Sequence, residues 1–312
     1  MMLKKATLWG RLVTTTEHAL RSGSLLPVQT NHAFIEDNGI RFFVRVLSSL
    51  RRKDEAKKKQ DAGSIGGKSV NPFLPPEKDL IVSDLTDTHI AILNKFNVVE
   101  HHLLIVTRGF EDQDTLLTHQ DFEALWLCMA EFNSLGFYNG GREAGASQQH
   151  KHLQLVPLPL APAGPAVPIG PLLEGIKGEA GICTIPAFPF LHSFIWLGPD
   201  LVRDPATAAK TSFELYGEML QSVGLNTPDA SRLTVQTLPY CLLVTREWML
   251  LVPRSREFFE GVSLNSLAYA GSLFVRDEEQ LARLKAFGPM KALASAAREK
   301  AVQEGKQESV AS

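Results

Sequence analysis

Three side chains able to take a proton, donate a hydrogen bond or attack an electrophile recur at alternate positions in one short run. They are His150, His152 and Gln154, inside Asn139-Gly140-Gly141-Arg142-Glu143-Ala144-Gly145-Ala146-Ser147-Gln148-Gln149-His150-Lys151-His152-Leu153-Gln154. In an extended strand side chains alternate, so these three share one face while Lys151, Leu153 and Leu155 take the other. Such a polar face is costly unless it meets a ligand, water or internal partners. The glycines and Ser147 just upstream add backbone N–H groups where a phosphate can come close. Three readings fit these residue types. One is a polar face satisfied by solvent or by the protein itself. Another is a metal site, since H-x-H on a strand sets two imidazoles on one ion, although Gln154 is a poor third ligand for a catalytic zinc. The third is nucleophilic catalysis at phosphorus, with a neutral imidazole attacking while its neighbours hold the other ring nitrogen and the phosphate oxygens.

The elements that must position this run are partly visible. Residues 89–93 and 103–106 are β-prone and separated by a loop at 94–102, which predicts an antiparallel pair. Thr118 followed three places on by Asp121 is a helix start, and Phe122, Leu125, Trp126, Met129 and Phe132 continue it as one apolar stripe. Residues 135–138 and 150–156 read as strands joined by a Gly- and Ser-rich loop at 139–149. Six prolines between 157 and 171 exclude a helix or a central strand there. Strands are predicted at 193–197 and, hairpin-like, within 233–252, and a helical region at 278–304. Residues 1–50 are read only as short apolar pieces, Phe42, Phe43 and Val44 among them. An alignment of residues 101–111 over 247–257 matches four of eleven positions and hints at an internal repeat.

Composition narrows the function class. The chain has 312 residues, 32 Lys+Arg against 34 Asp+Glu, and a formal charge of −2, which removes the usual electrostatic ground for nucleic-acid binding. Any anion must therefore be met by local groups. No run reaches the roughly 18 apolar residues of a membrane span. Cys128, Cys183 and Cys241 lie far apart without CxxC spacing, which predicts a reducing, cytoplasmic compartment and no structural metal. Residues 51–69 are charged and then Gly-rich, the composition of a mobile basic loop. Its GSIGGKS is not a P-loop, because Ala62 stands where the first glycine is required.

The string GASQQHKHLQL, with FYNGG before it and the earlier LNKFNVVEHHLLIVTRGFEDQ, resembles the diadenosine tetraphosphate phosphorylases, or ATP adenylyltransferases, in the transferase branch of the histidine triad superfamily. The likeness runs from about residue 71 to 157 and resumes at LLVTREWMLLVPRSRE and VSLNSLAYAGSLFV. It implies an α+β histidine-triad-like fold, an antiparallel sheet flanked by helices in two degenerate halves. The expected divisions are an N-terminal segment with the basic loop (1–70), a catalytic half (71–157), a Pro-rich linker and insertion (158–230) and a C-terminal degenerate half (231–312).

By that resemblance His152 is the nucleophile and forms an adenylyl-histidine, Gln154 hydrogen-bonds the phosphoryl oxygens, and His150 orients the site. Asn94, Asn139, Gly145, Ala146, Ser147 and Gln149 match nucleotide-contacting positions, Lys53 is expected near the polyphosphate, and His102 is the histidine that follows the 94–102 loop. Glu100 replaces a usual proline, and Lys151 puts a charge on the opposite face. The implied reaction is reversible phosphorolysis of diadenosine tetraphosphate with inorganic phosphate to ATP and ADP, with Mg2+ or Mn2+ accompanying the nucleotide. The implied partners are small molecules alone, with no nucleic acid and no membrane, and the chain a monomer or homodimer. A dinucleoside polyphosphate hydrolase and a non-catalytic nucleotide-binding protein remain as alternatives.

Overall fold

The computed structural model describes residues 7–47, 71–229 and 232–300. Lys53 and the basic loop lie outside these. Helix α1 (Leu8–Ser22) is capped at Thr7 and leads to the hairpin β1 (Thr30–Asp37) and β2 (Ile40–Leu47). There follow β3 (Ile81–Asp84), β4 (His89–Leu93), β5 (Leu103–Thr107), α2 (His119–Glu131), β6 (Ser134–Gly140) and β7 (His152–Pro157). After a short helix α3 (Gly170–Leu173) the chain forms β8 (Ile182–Cys183), β9 (Ser193–Trp196), α4 (Pro205–Ser222), β10 (Tyr240–Val244) and β11 (Trp248–Pro253). It closes with β12 (Phe258–Phe259), β13 (Val262–Ser263), α5 (Ser266–Tyr269), β14 (Ser272–Val275), α6 (Glu278–Phe287) and α7 (Pro289–Ala296). The expected helical region at 278–304 is thus two helices. Gly288, at φ 95°, and Pro289 break it.

Nine strands form one sheet in the order β3-β4-β5-β7-β6-β10-β11-β9-β8. Outward from the central β6–β10 pair, β7, β5 and β4 on one side mirror β11, β9 and β8 on the other. In chain order each half is strand, strand, helix, strand, strand, so the sheet is built from two copies of one unit. This corrects two expectations. The second unit begins at β8, inside the segment read as linker and insertion, because β9 and the long helix α4 complete it. The repeat is also re-registered, since the topological equal of β11 is β7 and not β5. Apolar strands share so few residue types that sequence similarity paired the wrong two.

The sheet carries a core on each face. On one, α1, α2 and α4 bury Leu12, Phe122, Trp126 and Tyr216 against Leu153, Leu155, Tyr138 and Leu251. On the other, Val156, Phe137, Trp248, Leu250 and Val252 meet Phe42, Val44, Leu273 and Leu293 from the three-stranded sheet β1-β2-β14 and the C-terminal helices. Strand β14 pairs in parallel with β2, so the N-terminal and C-terminal segments form one layer. A smaller apolar patch, Phe73, Ile90, Ile92, Leu104 and Val106, lines the β4–β5 end.

Candidate active site

Strand β7 has one apolar side and one chemical side. Leu153 and Leu155 enter the helix-covered core, so alternation turns His152 and Gln154 to the opposite face. The ladder begins at His152 rather than at 150, and His150 reaches the sheet through a bridge to Asp112. On β11 the equivalent side carries Trp248, Leu250 and Val252, all buried in the core. The strand of the second unit equivalent to β7 therefore has neither a histidine nor a glutamine on this side of the sheet.

Three imidazoles meet at this end of the sheet, and their hydrogen bonds fix their tautomers. His150 Nε2 lies 2.8 Å from the Thr107 carbonyl, which can only accept, so Nε2 carries the proton. Its Nδ1 then accepts from the Asn71 amide at 2.9 Å, while Asn71 Oδ1 accepts the Phe73 N–H. His102 Nδ1 accepts from the Asn94 amide at 3.2 Å, and its Nε2–H donates to Gln154 Oε1 at 3.0 Å. His152 Nδ1 donates to the His150 carbonyl at 2.8 Å. Of the three rings, only His152 keeps an unprotonated nitrogen, Nε2, free of a partner among the described residues. The chain Asn94–His102–Gln154 likewise leaves the Gln154 amide with its donor end open.

Electrostatics agree with these tautomers. Burial pulls His152 down to about 4, against a partial rise from its bond to the His150 carbonyl and a further lowering by the His150 ring. Burial also pulls His102 down to about 4, partly opposed by Gln154. His150 is lowered from its ordinary value, again chiefly by burial. All three rings are therefore neutral near pH 7, and His152 Nε2 presents a lone pair. With both His150 nitrogens engaged, the two-imidazole metal site has no geometry here.

The other expected residues are placed as follows. Asn94 acts on His102, and Glu100, in the proline's place, leaves His102 able to reach Gln154. Asn139 Oδ1 accepts from the Ser266 N–H at 3.0 Å and hydroxyl at 2.7 Å, so only its amide nitrogen is left for a ligand. Gly145 sits at φ 95°, and a Cβ there would lie 2.8 Å from Asn265 Cβ, which explains the glycine. Its N–H donates to the Arg142 carbonyl and that of Ala146 to the Gly141 carbonyl, so these two amides are engaged within the turn. Ser147 and Gln149 are exposed on the loop before His150.

Lys151, which the pattern assigned to the opposite face, is wholly buried there. Its Nζ lies 2.7 Å from Asp121 Oδ2 and 3.2 Å from Glu111 Oε2, and donates to the Leu116 carbonyl. Asp121 also meets His89 Nε2 at 3.1 Å and closes the capping box with Thr118 that starts α2. This network ties the peptide between the two histidines to the helix below. Pattern reading did not single out Asn71, Thr107, Gln113 or Ser266. They are polar residues of loops and element ends, where no periodicity marks them.

The Ap4A phosphorylase N-terminal domain matches residues 1–175, and the ATP adenylyltransferase C-terminal domain matches residues 186–299. The first match spans β1 to β7 and the second β9 to β14, with β8 between them. The chain is 29% identical over 265 residues to diadenosine 5',5'''-P1,P4-tetraphosphate phosphorylase 2 of Saccharomyces cerevisiae, covering 78% of each chain. It is 24% identical over 302 residues to Protein APA1 of the same yeast, covering 85% of this chain and 86% of the other. Its fold matches the crystal structure of yeast Ap4A phosphorylase Apa2 with a TM-score of 0.73 at 23% identity, over 96% of this chain and 99% of that one. The crystal structure of Apa2 in complex with Ap4A matches with a TM-score of 0.71 at 23% identity, over 95% and 98% of the two chains. The domain match over residues 1–175, more than half of the chain, shows that it belongs to the Ap4A phosphorylase family.

Proposed function

We propose that this protein phosphorolyses diadenosine 5',5'''-P1,P4-tetraphosphate with inorganic phosphate to ATP and ADP, reversibly, through an adenylyl-His152 intermediate. The observation that carries this reading is the free Nε2 of a neutral His152 on the same strand face as the donor end of Gln154, in a chain of this family. Nε2 attacks the α-phosphorus, the P–O bond to the remaining three phosphates breaks, and ATP leaves. Inorganic phosphate then attacks the same phosphorus, the P–N bond breaks, and ADP leaves. The ATP phosphate departs as an anion, so neither step needs a general acid. Nδ1–H stays on the His150 carbonyl throughout, which stabilises the cationic adenylyl-imidazole. The Gln154 amide donates to the phosphoryl oxygens. An amide has no basic atom to activate water, which favours a transferase over a hydrolase.

Asn139, through its amide nitrogen, and Ser147 and Gln149 on the adjoining loop are the proposed further phosphate contacts, with Gly145 and Ala146 shaping the turn. Lys53 is the proposed charge partner of the polyphosphate. Mg2+ or Mn2+ would arrive as counter-ion of the nucleotide. Among the described residues no group of three His, Cys, Asp or Glu side chains is placed to hold a cation. No helix among the described residues is long and apolar enough to cross a membrane. The three cysteines are free thiols, which suits the cytoplasm proposed for the protein, as a monomer or homodimer.

The deciding experiment incubates the pure protein with diadenosine tetraphosphate and a divalent cation, with and without inorganic phosphate. ATP and ADP are expected, with sustained turnover only when phosphate is present. Sustained products without phosphate would make it a hydrolase, and none in either tube would defeat the reading. The pH dependence is a second expectation. Because burial lowers His152 to about 4, the neutral nucleophile persists well below the ordinary histidine value of 6.5. The adenylyl-transfer rate should therefore stay level from about pH 8 to about pH 5.5 in rapid-quench measurements, with no acid limb near 6.5. The sign for stability is the same. Keeping His152 and His102 neutral stabilises the fold fully above 6.5, and that contribution is lost as the pH falls towards about 4.

A further inference from the structure

Strands β6 and β7 pair from Ser134↔Pro157 to Phe137↔Gln154. Two residues further the same register would set Asn139 opposite His152, but the ladder stops. In its place lies the carboxamide of Gln113, a residue only 2% exposed. Its Nε2 donates to the Asn139 carbonyl at 2.9 Å and to the His152 carbonyl at 3.3 Å, while its Oε1 accepts the His152 N–H at 2.9 Å. A side-chain amide thus stands where a peptide group of the neighbouring strand would stand, and it satisfies the Asn139 carbonyl and both the N–H and the carbonyl of His152. Gln113 is itself held on both sides of its own peptide. Its N–H donates to the Gln149 carbonyl at 2.7 Å, and its carbonyl accepts the buried Tyr138 hydroxyl at 2.6 Å.

An amide between two strands holds them further apart than one direct N–H···O bond does. Beyond this point β6 continues through Gly140, paired with Tyr240 of β10, whereas the chain before β7 turns away at His150 to bridge Asp112. The other edge of His152 stays in register with Val106 of β5. We propose that Gln113 is a positioning residue, whose wedged carboxamide opens the sheet between β6 and β7 and fixes the His152 peptide so that Nδ1–H meets the His150 carbonyl and Nε2 faces the incoming phosphorus. The kinetic consequence rests on the adenylyl-transfer reading; the geometric one does not.

Two variants and one spectroscopic measurement test this. Gln113→Leu keeps roughly the volume and removes all three hydrogen bonds. At saturating substrate, kcat for adenylyl transfer should fall about 100-fold while KM stays within about threefold, because alignment is lost and not binding. Gln113→Glu keeps the acceptor and loses the donors. Its carboxylate would face two carbonyl oxygens, which favours the protonated acid, and that acid regains one donor. Its kcat should therefore rise as the pH falls from about 8 to about 6, where the wild-type rate is level. A merely structural role would not produce that recovery. A Gln113→Leu protein with wild-type kcat, or a Gln113→Glu protein with a level pH profile, would overturn the proposal. Nitrogen-15 shifts of the His152 ring, read at pH 7 without substrate, separate this from the reaction itself. Wild type should show the single Nδ1–H tautomer, and Gln113→Leu a mixture of the two. An unchanged tautomer in the variant would sink the positioning role. A wild-type protein inert towards the nucleotide would defeat the functional reading alone. Should Gln113→Leu fail to fold, the pH profile of Gln113→Glu decides.

Discussion

Replacing His152 by alanine is expected to lower kcat for diadenosine tetraphosphate phosphorolysis by roughly 10^4-fold or more while nucleotide affinity changes little. The size follows from the hydrogen bonds of the three imidazoles. Both nitrogens of His150 are engaged by Thr107 and Asn71, and both of His102 by Asn94 and Gln154. Neither ring can take over the attack without breaking a buried bond. Removing the His152 ring deletes the proposed nucleophile and leaves the Gln154 and Asn139 amides in place, so binding survives. Incubation of wild type with substrate labelled at the α-phosphorus, without inorganic phosphate, should trap label on the protein through an acid-labile, alkali-stable P–N bond. His152→Ala should trap none. Label recovered on any other residue, or turnover retained by the variant, would remove His152 from the nucleophile's role.

Asp121→Asn should cost the fold about 3–5 kcal/mol, the loss typical when one partner of a buried ion pair is removed and the other stays charged in the interior. Lys151 is wholly buried, and beside Asp121 it has only the partly exposed Glu111 as an acidic partner. The substitution keeps the shape of the helix cap, so the effect reports charge more than capping. Thermal unfolding should show Tm lowered by roughly 5–8 °C. A double substitution, Lys151→Met with Asp121→Leu, should lose less than either charge-breaking single change, since no buried charge is stranded. Burial alone would raise the Asp121 carboxyl, but Lys151 and the bond to His89 hold it well below the ordinary carboxylate range. A carboxyl depressed in the folded state contributes stability that is present above its unfolded value, near 4, and is lost as pH falls through the folded one. The gap between wild type and Asp121→Asn should therefore be constant near neutrality and narrow below about pH 4. A gap under about 1 kcal/mol at pH 7 would mean that Lys151 is carried by its other partners.

What was legible in advance were relations between residues close in the chain. Alternation along residues 150–156 placed His152 and Gln154 opposite Leu153 and Leu155, because side-chain direction in a strand is set by the backbone alone. The Thr118–Asp121 capping box and the apolar stripe from Phe122 onward specified α2 in the same way, by contacts within one turn. The β4–β5 pair and the loop between them followed from apolar runs bounded by polar ones. Resemblance of motifs then supplied a family that composition and periodicity alone could not.

The tertiary structure decided which long-range partners those local elements meet. That Asn71 reaches His150, Asn94 His102, Ser266 Asn139 and Gln113 the gap between two strands depends on how loops close, and a polar residue in a loop carries no period to announce its partner. The burial of Lys151 is of the same kind: alternation gave its direction, but only the packing of α2 turned a charge on a strand into an ion pair with Asp121. The second unit of the sheet was misplaced because apolar strands are nearly interchangeable in sequence, while their order in a sheet is set by pairing across the whole chain. The proposed nucleophile draws on both levels. Motif resemblance singled out His152, and the hydrogen bonds assembled by the fold decided which of His102, His150 and His152 keeps a ring lone pair free of a partner among the described residues, which is His152.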